Sequence, residues 1–286
     1  MTLLQAILLG IVQGFTEFIP ISSTAHLVLA SRVLGLGLTP AQLTSSIAVI
    51  QLGTLIAVLI YFATDIWQIS IAFVRDHARL VTGRSETGER GLSHEAWLGW
   101  LVIIGSLPVA VVGLLFKKQI EGTFTKNLWV IATMMILIAV LLAIAELVGK
   151  KRREMKDLGL VDALAVGFAQ CLALIPGSSR SGSTIMAGLF AGEVRETAAR
   201  FSFLLSIPAI AASGLLELKE ALHRLPHSDL GTLAVGTLVS GIVGYLSIWF
   251  LLRFLKTHTT GVFIGYRLIV GAIILLMLFT GRITPL

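Results

Sequence analysis

Six stretches of this chain, residues 44–64, 98–116, 128–148, 201–218, 233–252 and 262–281, are almost wholly apolar. Each reaches or approaches the roughly 20 residues that a helix needs to cross a bilayer. Of the 286 residues, 56 % are hydrophobic and 13 % charged, with a mean hydropathy of +0.91. An ordinary soluble domain carries about 25 % charged residues, and a soluble chain of this length could not hide so much apolar surface from water. The expected fold is an all-α polytopic membrane protein. Composition excludes a disordered, collagenous or disulfide-framed chain. The single cysteine, Cys171, forms no intrachain disulfide, and its apolar surroundings suggest a buried small hydrophobe. The opening residues MTLLQAILLG lack a basic n-region and a clear cleavage site, so they are not read as a removed signal peptide.

Two further apolar regions are interrupted. Residues 3–36 are broken by Glu17, Pro20, the run Ser22, Ser23 and Thr24, and His26. Residues 158–194 are broken by Pro176, Gly177, Ser178, Ser179, Arg180, Ser181 and Gly182. Each reads as a short helix, a polar break and a second short helix, a pattern tolerated at membrane depth only where protein or a water-filled cavity covers it. F-I-P-I-S-S-T at 18–24 aligns with L-I-P-G-S-S-R at 174–180, an offset of 156, and Gln13 and Gln170 precede them at nearly matching distances. Three apolar runs follow each break, an odd number, so the second half should enter the membrane inverted. The expected organisation is one integral membrane domain of two inverted-topology repeats, 1–149 and 150–286. Each opens with a re-entrant helical hairpin, 3–36 or 158–194, followed by three spans.

The net charge is +6 at pH 7. Nucleic acid is not the expected partner, because basic residues in short loops orient membrane helices. Loops 65–97, 149–157 and 253–261 hold eleven basic residues: Arg75, Arg79, Arg84, Arg90, Lys150, Lys151, Arg152, Arg153, Lys156, Arg253 and Lys256. The opposite side holds seven: Arg32, Lys117, Lys118, Lys126, Lys219, Arg224 and Arg282. The richer side is therefore assigned to the cytoplasm, with both termini outside.

Ionisable residues inside membrane segments are functional candidates by default. Glu146, Glu217 and Arg267 lie near span ends, where snorkelling or a structural pair is the simpler reading. Glu17, His26 and Arg180 lie in the breaks. Gln13 and Glu17 are four apart and share a helix face; Pro20 ends or kinks that helix. If Ser22 caps the next helix, Ser23 and His26 fall three apart on one face, a minimal nucleophile–base pair. The bland alternative is a capped helix with a core histidine. In the second break, hydroxyls, glycine-freed N–H groups and the Arg180 guanidinium suit a phosphate or pyrophosphate. Arg180 could equally neutralise Glu17 across the repeat interface. A lipid with a phosphate head fits a site inside the bilayer, and phosphoryl transfer fits the residue types. H-E-x-x-H, C-x-x-C, a Walker loop and a helix-opening G-x-G-x-x-G are absent from the sequence.

Q-G-F-T-E-F-I-P-I-S-S-T-A-H and P-G-S-S-R-S-G-S-T resemble the two signature motifs of the bacterial undecaprenyl-pyrophosphate phosphatases, the bacitracin-resistance family. The resemblance runs the whole length, including F-S-F-L-L-S-I-P at 201–208 and Y-R-L-I-V at 266–270. The P-S-G-H motif of the phosphatidic-acid-phosphatase type is absent. The resemblance implies six spans plus two re-entrant hairpins in the bacterial plasma (inner) membrane. It implies removal of one phosphate from undecaprenyl pyrophosphate, recycling the carrier for cell-wall glycan synthesis and giving bacitracin resistance. It also implies a divalent cation, Mg²⁺ or Ca²⁺, and a site open to the periplasmic side.

Carried over by position, Glu17, Ser23, His26 and Arg180 match the family's catalytic residues. Thr24, Ser178, Ser179, Ser181 and Gly182 are expected to help Arg180 hold phosphate, with Glu17 and Gln13 on the metal. Gln13 stands where many members have a second glutamate, and Ala25 where glycine is frequent. A polyprenyl pyrophosphate lipid and the bilayer are the expected partners; a homodimer is compatible with the sequence. Two routes stay open: attack by Ser23 with His26 as base, or direct attack by water. The alternative function is a transporter or flippase of a phosphorylated polyprenyl lipid.

Overall fold

The computed structural model describes residues 1–82, 91–116, 126–224 and 227–285. It is built of helices: α1 (Leu3–Phe18), α2 (Ser23–Val33), α3 (Pro40–Tyr61), α4 (Ala63–Thr82), α5 (His94–Leu115), α6 (Leu128–Val148), α7 (Leu160–Cys171), α8 (Arg180–Phe190), α9 (Arg195–Arg224), α10 (His227–Leu255) and α11 (Gly261–Phe279). No strand occurs among the described residues. Six of these helices, α3, α5, α6, α9, α10 and α11, are long and apolar enough to cross a membrane. They coincide with the six expected spans. Starts follow capping chemistry: Thr2 and Thr39 each cap a helix with a reciprocal glutamine, Gln5 and Gln42, and Pro40 takes the first position of α3.

One loop expectation is overturned. Residues 65–82 of the expected loop 65–97, with the last two residues of the expected span 44–64, form the amphipathic helix α4. Ile66 and Ile69 pack on the core, Phe73 and His77 stack on each other and pack at a tilt against Trp100 of α5, and Trp67, Ile71 and Val74 stay exposed. Helical periodicity in a polar stretch had been masked by its charges. Arg84, Arg90, Lys117 and Lys118 of the charge comparison lie outside the described residues, as do the side chains of Glu217 and Arg224.

The two helix–break–helix units correspond closely. Helix α1 starts at 3 and α7 at 160; α2 covers 23–33 and α8 covers 180–190. The structural offset is therefore 157, one residue more than the letter-by-letter alignment. Ser22 and Ser179 occupy the same position: each caps the second helix, and each has a positive φ, 79° and 68°. Few non-glycine residues adopt such backbone, and it gathers at functional sites.

The first helix of each unit packs on a long helix that lies outside both units. Helix α1 lies on α10, where a Cβ at Gly10 would come within 2.4 Å of the Gly236 carbonyl oxygen. Helix α7 lies on α5, where a Cβ at Gly167, 157 positions after Gly10, would come within 2.3 Å of the Gly105 carbonyl oxygen. Only glycine permits either approach. Helices α3 and α9 pack together, as do α6 and α11. The largest core cluster joins Phe18, Phe62 and Phe203 beside the first break.

Candidate active site

The site is built where the two breaks meet. Pro20 ends α1: Ile19, before it, is extended (φ −68°, ψ 134°), as the ring of a following proline demands. The chain turns through Ser22, whose Oγ accepts from the Ala25 N–H (3.4 Å), and α2 begins at Ser23. In the second unit Ile175 is likewise extended before Pro176. Ser179 Oγ accepts from the Gly182 N–H (3.1 Å) and α8 begins at Arg180.

Arg180 and Glu17 come together. Arg180 Nη2 donates to Glu17 Oε1, with both side chains nearly buried. Glu17 Oε1 also accepts from Gln51 Nε2 (2.9 Å), and Oε2 accepts from Gln13 Nε2 (2.9 Å). Arg180 Nη1 donates to the Ser206 carbonyl at 3.4 Å. The carboxylate is thus held by one cation and two amides. Mutual neutralisation lets both charges stay out of water.

His26 sits one turn into α2. Its Nδ1 is 2.7 Å from the Ser22 carbonyl oxygen and its Nε2 is 2.7 Å from Tyr266 Oη. No hydrogen bond joins Ser23 to His26 among the described residues, although Ser23 is the first residue of α2 as the capping argument required. Ser23 is half-buried and Thr24 exposed. Resting enzyme geometry often lacks bonds that form only with substrate.

The expected phosphate group divides. Ser179 Oγ lies 3.1 Å from Ser181 Oγ, which reaches the Ile19 carbonyl at 3.3 Å and so ties the two breaks. The Gly182 amide is spent on the cap, leaving those of Arg180 and Ser181 as the open donors of the first turn. Ser178 is fully buried, and its Oγ has no partner among the described residues.

Arg267 corrects a sequence reading. It is not a snorkelling residue at a span end but is fully buried. Its guanidinium donates to the carbonyls of Pro20 (3.3 Å), Gly177 (3.0 Å), Ser178 (3.0 Å), Met135 (3.1 Å) and Met134 (3.4 Å). It clamps both breaks onto α6. Glu146 does form a structural cluster, with Arg195, Lys151 and Thr260. Cys171 is half-buried, its thiol 3.7 Å from the Gly167 carbonyl, rather than fully enclosed.

Residues missed by sequence reasoning are Gln51, Tyr266 and the clamp role of Arg267. The available signals were a glutamine inside an apolar run and a Tyr-Arg pair inside the last one.

The donors fit a hard cation shared with a phosphate ligand. Such ions take one or two carboxylates plus phosphate oxygens. Glu17 supplies a carboxylate, and Gln13 and Gln51 supply amides that present oxygen when turned over. Among the described residues no group of three or more His, Cys, Asp or Glu gathers, here or elsewhere, so Glu17 is the one carboxylate this site would offer.

Known proteins resemble this chain along nearly its whole length. Residues 6–273 match the family model described as "Bacitracin resistance protein BacA". An undecaprenyl-diphosphatase of Syntrophobacter fumaroxidans is 53 % identical over 281 residues, 98 % of each chain. Proteins of the same name from Mycolicibacterium gilvum and Chlorobaculum tepidum are 46 % and 47 % identical over the full length of both chains. With the family model covering nearly all of it and relatives of this identity along its whole length, the chain belongs to the bacitracin resistance protein BacA family.

Proposed function

We propose that this protein is an integral membrane phosphatase that hydrolyses undecaprenyl pyrophosphate to undecaprenyl phosphate and inorganic phosphate. The observation that carries the reading is the Arg180–Glu17 pair, enclosed among apolar helices where two strained serine caps meet. A phosphate-binding arginine held on a carboxylate is a site already organised for an anion.

The steps follow from the residues. The pyrophosphate takes the Arg180 guanidinium from Glu17, with the open amides of Arg180 and Ser181 beneath it. Glu17, Gln13 and Gln51 are then free to hold a divalent cation, Mg²⁺ or Ca²⁺. Such an ion supplies charge neutralisation to the phosphate oxygens. His26 Nε2 takes the Ser23 proton while Ser23 Oγ forms a bond to the terminal phosphorus. The bridging P–O bond breaks, and lipid monophosphate leaves with the proton that His26 returns to it. Water then attacks the phosphoserine with its proton passing to the neutral His26, the Ser23 O–P bond breaks as His26 gives that proton back to Ser23 Oγ, and inorganic phosphate leaves. Thr24, Ser178 and Ser179 border this path.

The same reading takes the two helix–break–helix units as an inverted pair of re-entrant hairpins. The matching contacts of α1 with α10 and α7 with α5 support it. It assigns the protein to the bacterial plasma membrane, with the site open to the periplasmic side and its product returned to cell-wall synthesis.

The deciding experiment measures phosphate release from undecaprenyl pyrophosphate by purified wild type and His26→Ala, with and without chelator. Release by wild type alone, lost on chelation, is expected. Lipid translocation without hydrolysis overturns the enzyme reading. Full activity in Ser23→Ala excludes the covalent route and leaves direct attack by water.

A further inference from the structure

Tyr266 of α11 and His26 of α2 are 240 residues apart in the chain, yet their rings stack with centroids 5.6 Å apart at 15°. The Tyr266 hydroxyl lies 2.7 Å from His26 Nε2, and the Ser22 carbonyl oxygen lies 2.7 Å from Nδ1. A carbonyl can only accept, so Nδ1 carries the hydrogen. In the neutral ring the lone pair is then on Nε2, and the tyrosine hydroxyl donates to it. The Ser22 carbonyl is held in place as the N-cap acceptor of α2, where it also takes the His26 backbone N–H (3.3 Å). Both ring nitrogens are therefore specified from outside α2's own side-chain packing. Tyr266 is 41 % exposed, so its ring is not there to fill the core.

We propose that Tyr266 is a positioning residue for the reaction: with the Ser22 carbonyl it fixes Nε2 as the proton-accepting nitrogen of His26 and holds the imidazole plane until the nucleophile's hydroxyl takes the tyrosine's place. This rests on the phosphatase reading, in which His26 is the base. Only Nε2 changes role when the ring is protonated, from acceptor to donor. A phenol donates better than it accepts, so the Tyr266 bond favours the neutral ring. The charged groups around His26 are few. Arg267 is the neighbour on α11, Glu17 on α1 is neutralised by Arg180, and Arg32 on α2 is bound to the Thr284 and Pro285 carbonyls. Residues 128–145 of α6 carry no charge.

The test compares wild type, Tyr266→Phe and His26→Ala in steady-state phosphate release across pH. Tyr266→Phe keeps the stacked ring and loses only the hydroxyl. It should lower kcat about tenfold with little change in KM, and move the acidic limb of kcat/KM, which reports the substrate-free enzyme, to higher pH. His26→Ala should lose a hundredfold or roughly more, as removal of a general base does. Wild-type kcat and an unmoved acidic limb in Tyr266→Phe, beside an inactive His26→Ala, overturn the positioning role and leave the phosphatase reading standing. An active His26→Ala overturns the base assignment instead. If Tyr266→Phe does not fold, ¹⁵N spectra of histidine-labelled wild type decide, using the signal missing from His26→Ala. A hydrogen-bonded, unprotonated Nε2 beside a protonated Nδ1 is expected; the opposite tautomer overturns the proposal.

Discussion

Arg180 donates to Glu17 across 163 residues of chain, making one ion pair the hinge between the two helix–break–helix units. Removing one partner of a buried pair costs about 3–5 kcal/mol, because the other charge is left uncompensated. Arg180→Ala should therefore lower the melting temperature strongly as well as abolish phosphate release. Glu17→Gln added to Arg180→Ala should recover most of the melting temperature and none of the turnover. Arg180→Lys keeps the charge but not the planar fork, so turnover should fall far more than stability. Normal turnover in Arg180→Lys would show that bidentate phosphate recognition is the wrong account.

Arg267 is bound to five backbone carbonyls in a region from which water is excluded. An ammonium has three donors from one point and cannot span α6 and both breaks. Each carbonyl left buried without a donor costs about 1–3 kcal/mol. Arg267→Lys should lower the melting temperature in detergent, and Arg267→Met should lower it more. Retained melting temperature in Arg267→Met would show that the clamp is not structural.

Much of this was legible in the letters because membrane spans and breaks are read from hydropathy alone. The six spans, the polar runs around Pro20 and Pro176, and the candidates Glu17 and Arg180 needed no structure. The register of the repeat did not come out, because aligning the prolines gives an offset of 156 while the caps Ser22 and Ser179 are 157 apart. The 3₁₀ turn Leu172–Leu174 and Gly177 at φ 90° replace the plain helix end at Phe18 and absorb the difference. A 3₁₀ turn rises about 2.0 Å per residue against about 1.5 Å for an α-helix. Tyr266 and Gln51 were not legible because their roles are contacts with residues remote in sequence. Arg267 was seen and underrated, since burial at mid-helix cannot be told from snorkelling by position alone. Helix α4 was missed because charged residues at Asp65, Arg75, Asp76 and Arg79 read as loop.

Ser22 and Ser179 combine a side-chain cap with left-handed backbone. Alanine there keeps the strain and loses the cap, costing about 1 kcal/mol or more per site. Glycine loses the same hydrogen bond but relieves the strain. Ser22→Gly and Ser179→Gly should melt closer to wild type than Ser22→Ala and Ser179→Ala, in thermal unfolding followed by size-exclusion. The reverse order would mean that neither backbone is strained.

Glu193, between α8 and α9, is fully buried, and neither carboxylate oxygen has a hydrogen-bond partner among the described residues. Burial, and after it the nearby Asp162 carboxylate, push its pKa from the ordinary 4.5 up to about 7, while Arg153 opposes them. The folded protein thus holds this proton more tightly than the unfolded chain. Its contribution is fully present below about pH 4.5 and is lost as pH rises through about 7. Stability lost across that window should be about 3 kcal/mol from this group. Asp76, held down to about 2 by hydrogen bonds from Ser93, changes stability only at far lower pH and does not overlap. Glu193→Gln removes the titration while keeping the shape. Its melting temperature should therefore exceed that of wild type at pH 8, and the gap should close toward pH 5. A gap that stays constant across that range would show that Glu193 is not the group that titrates.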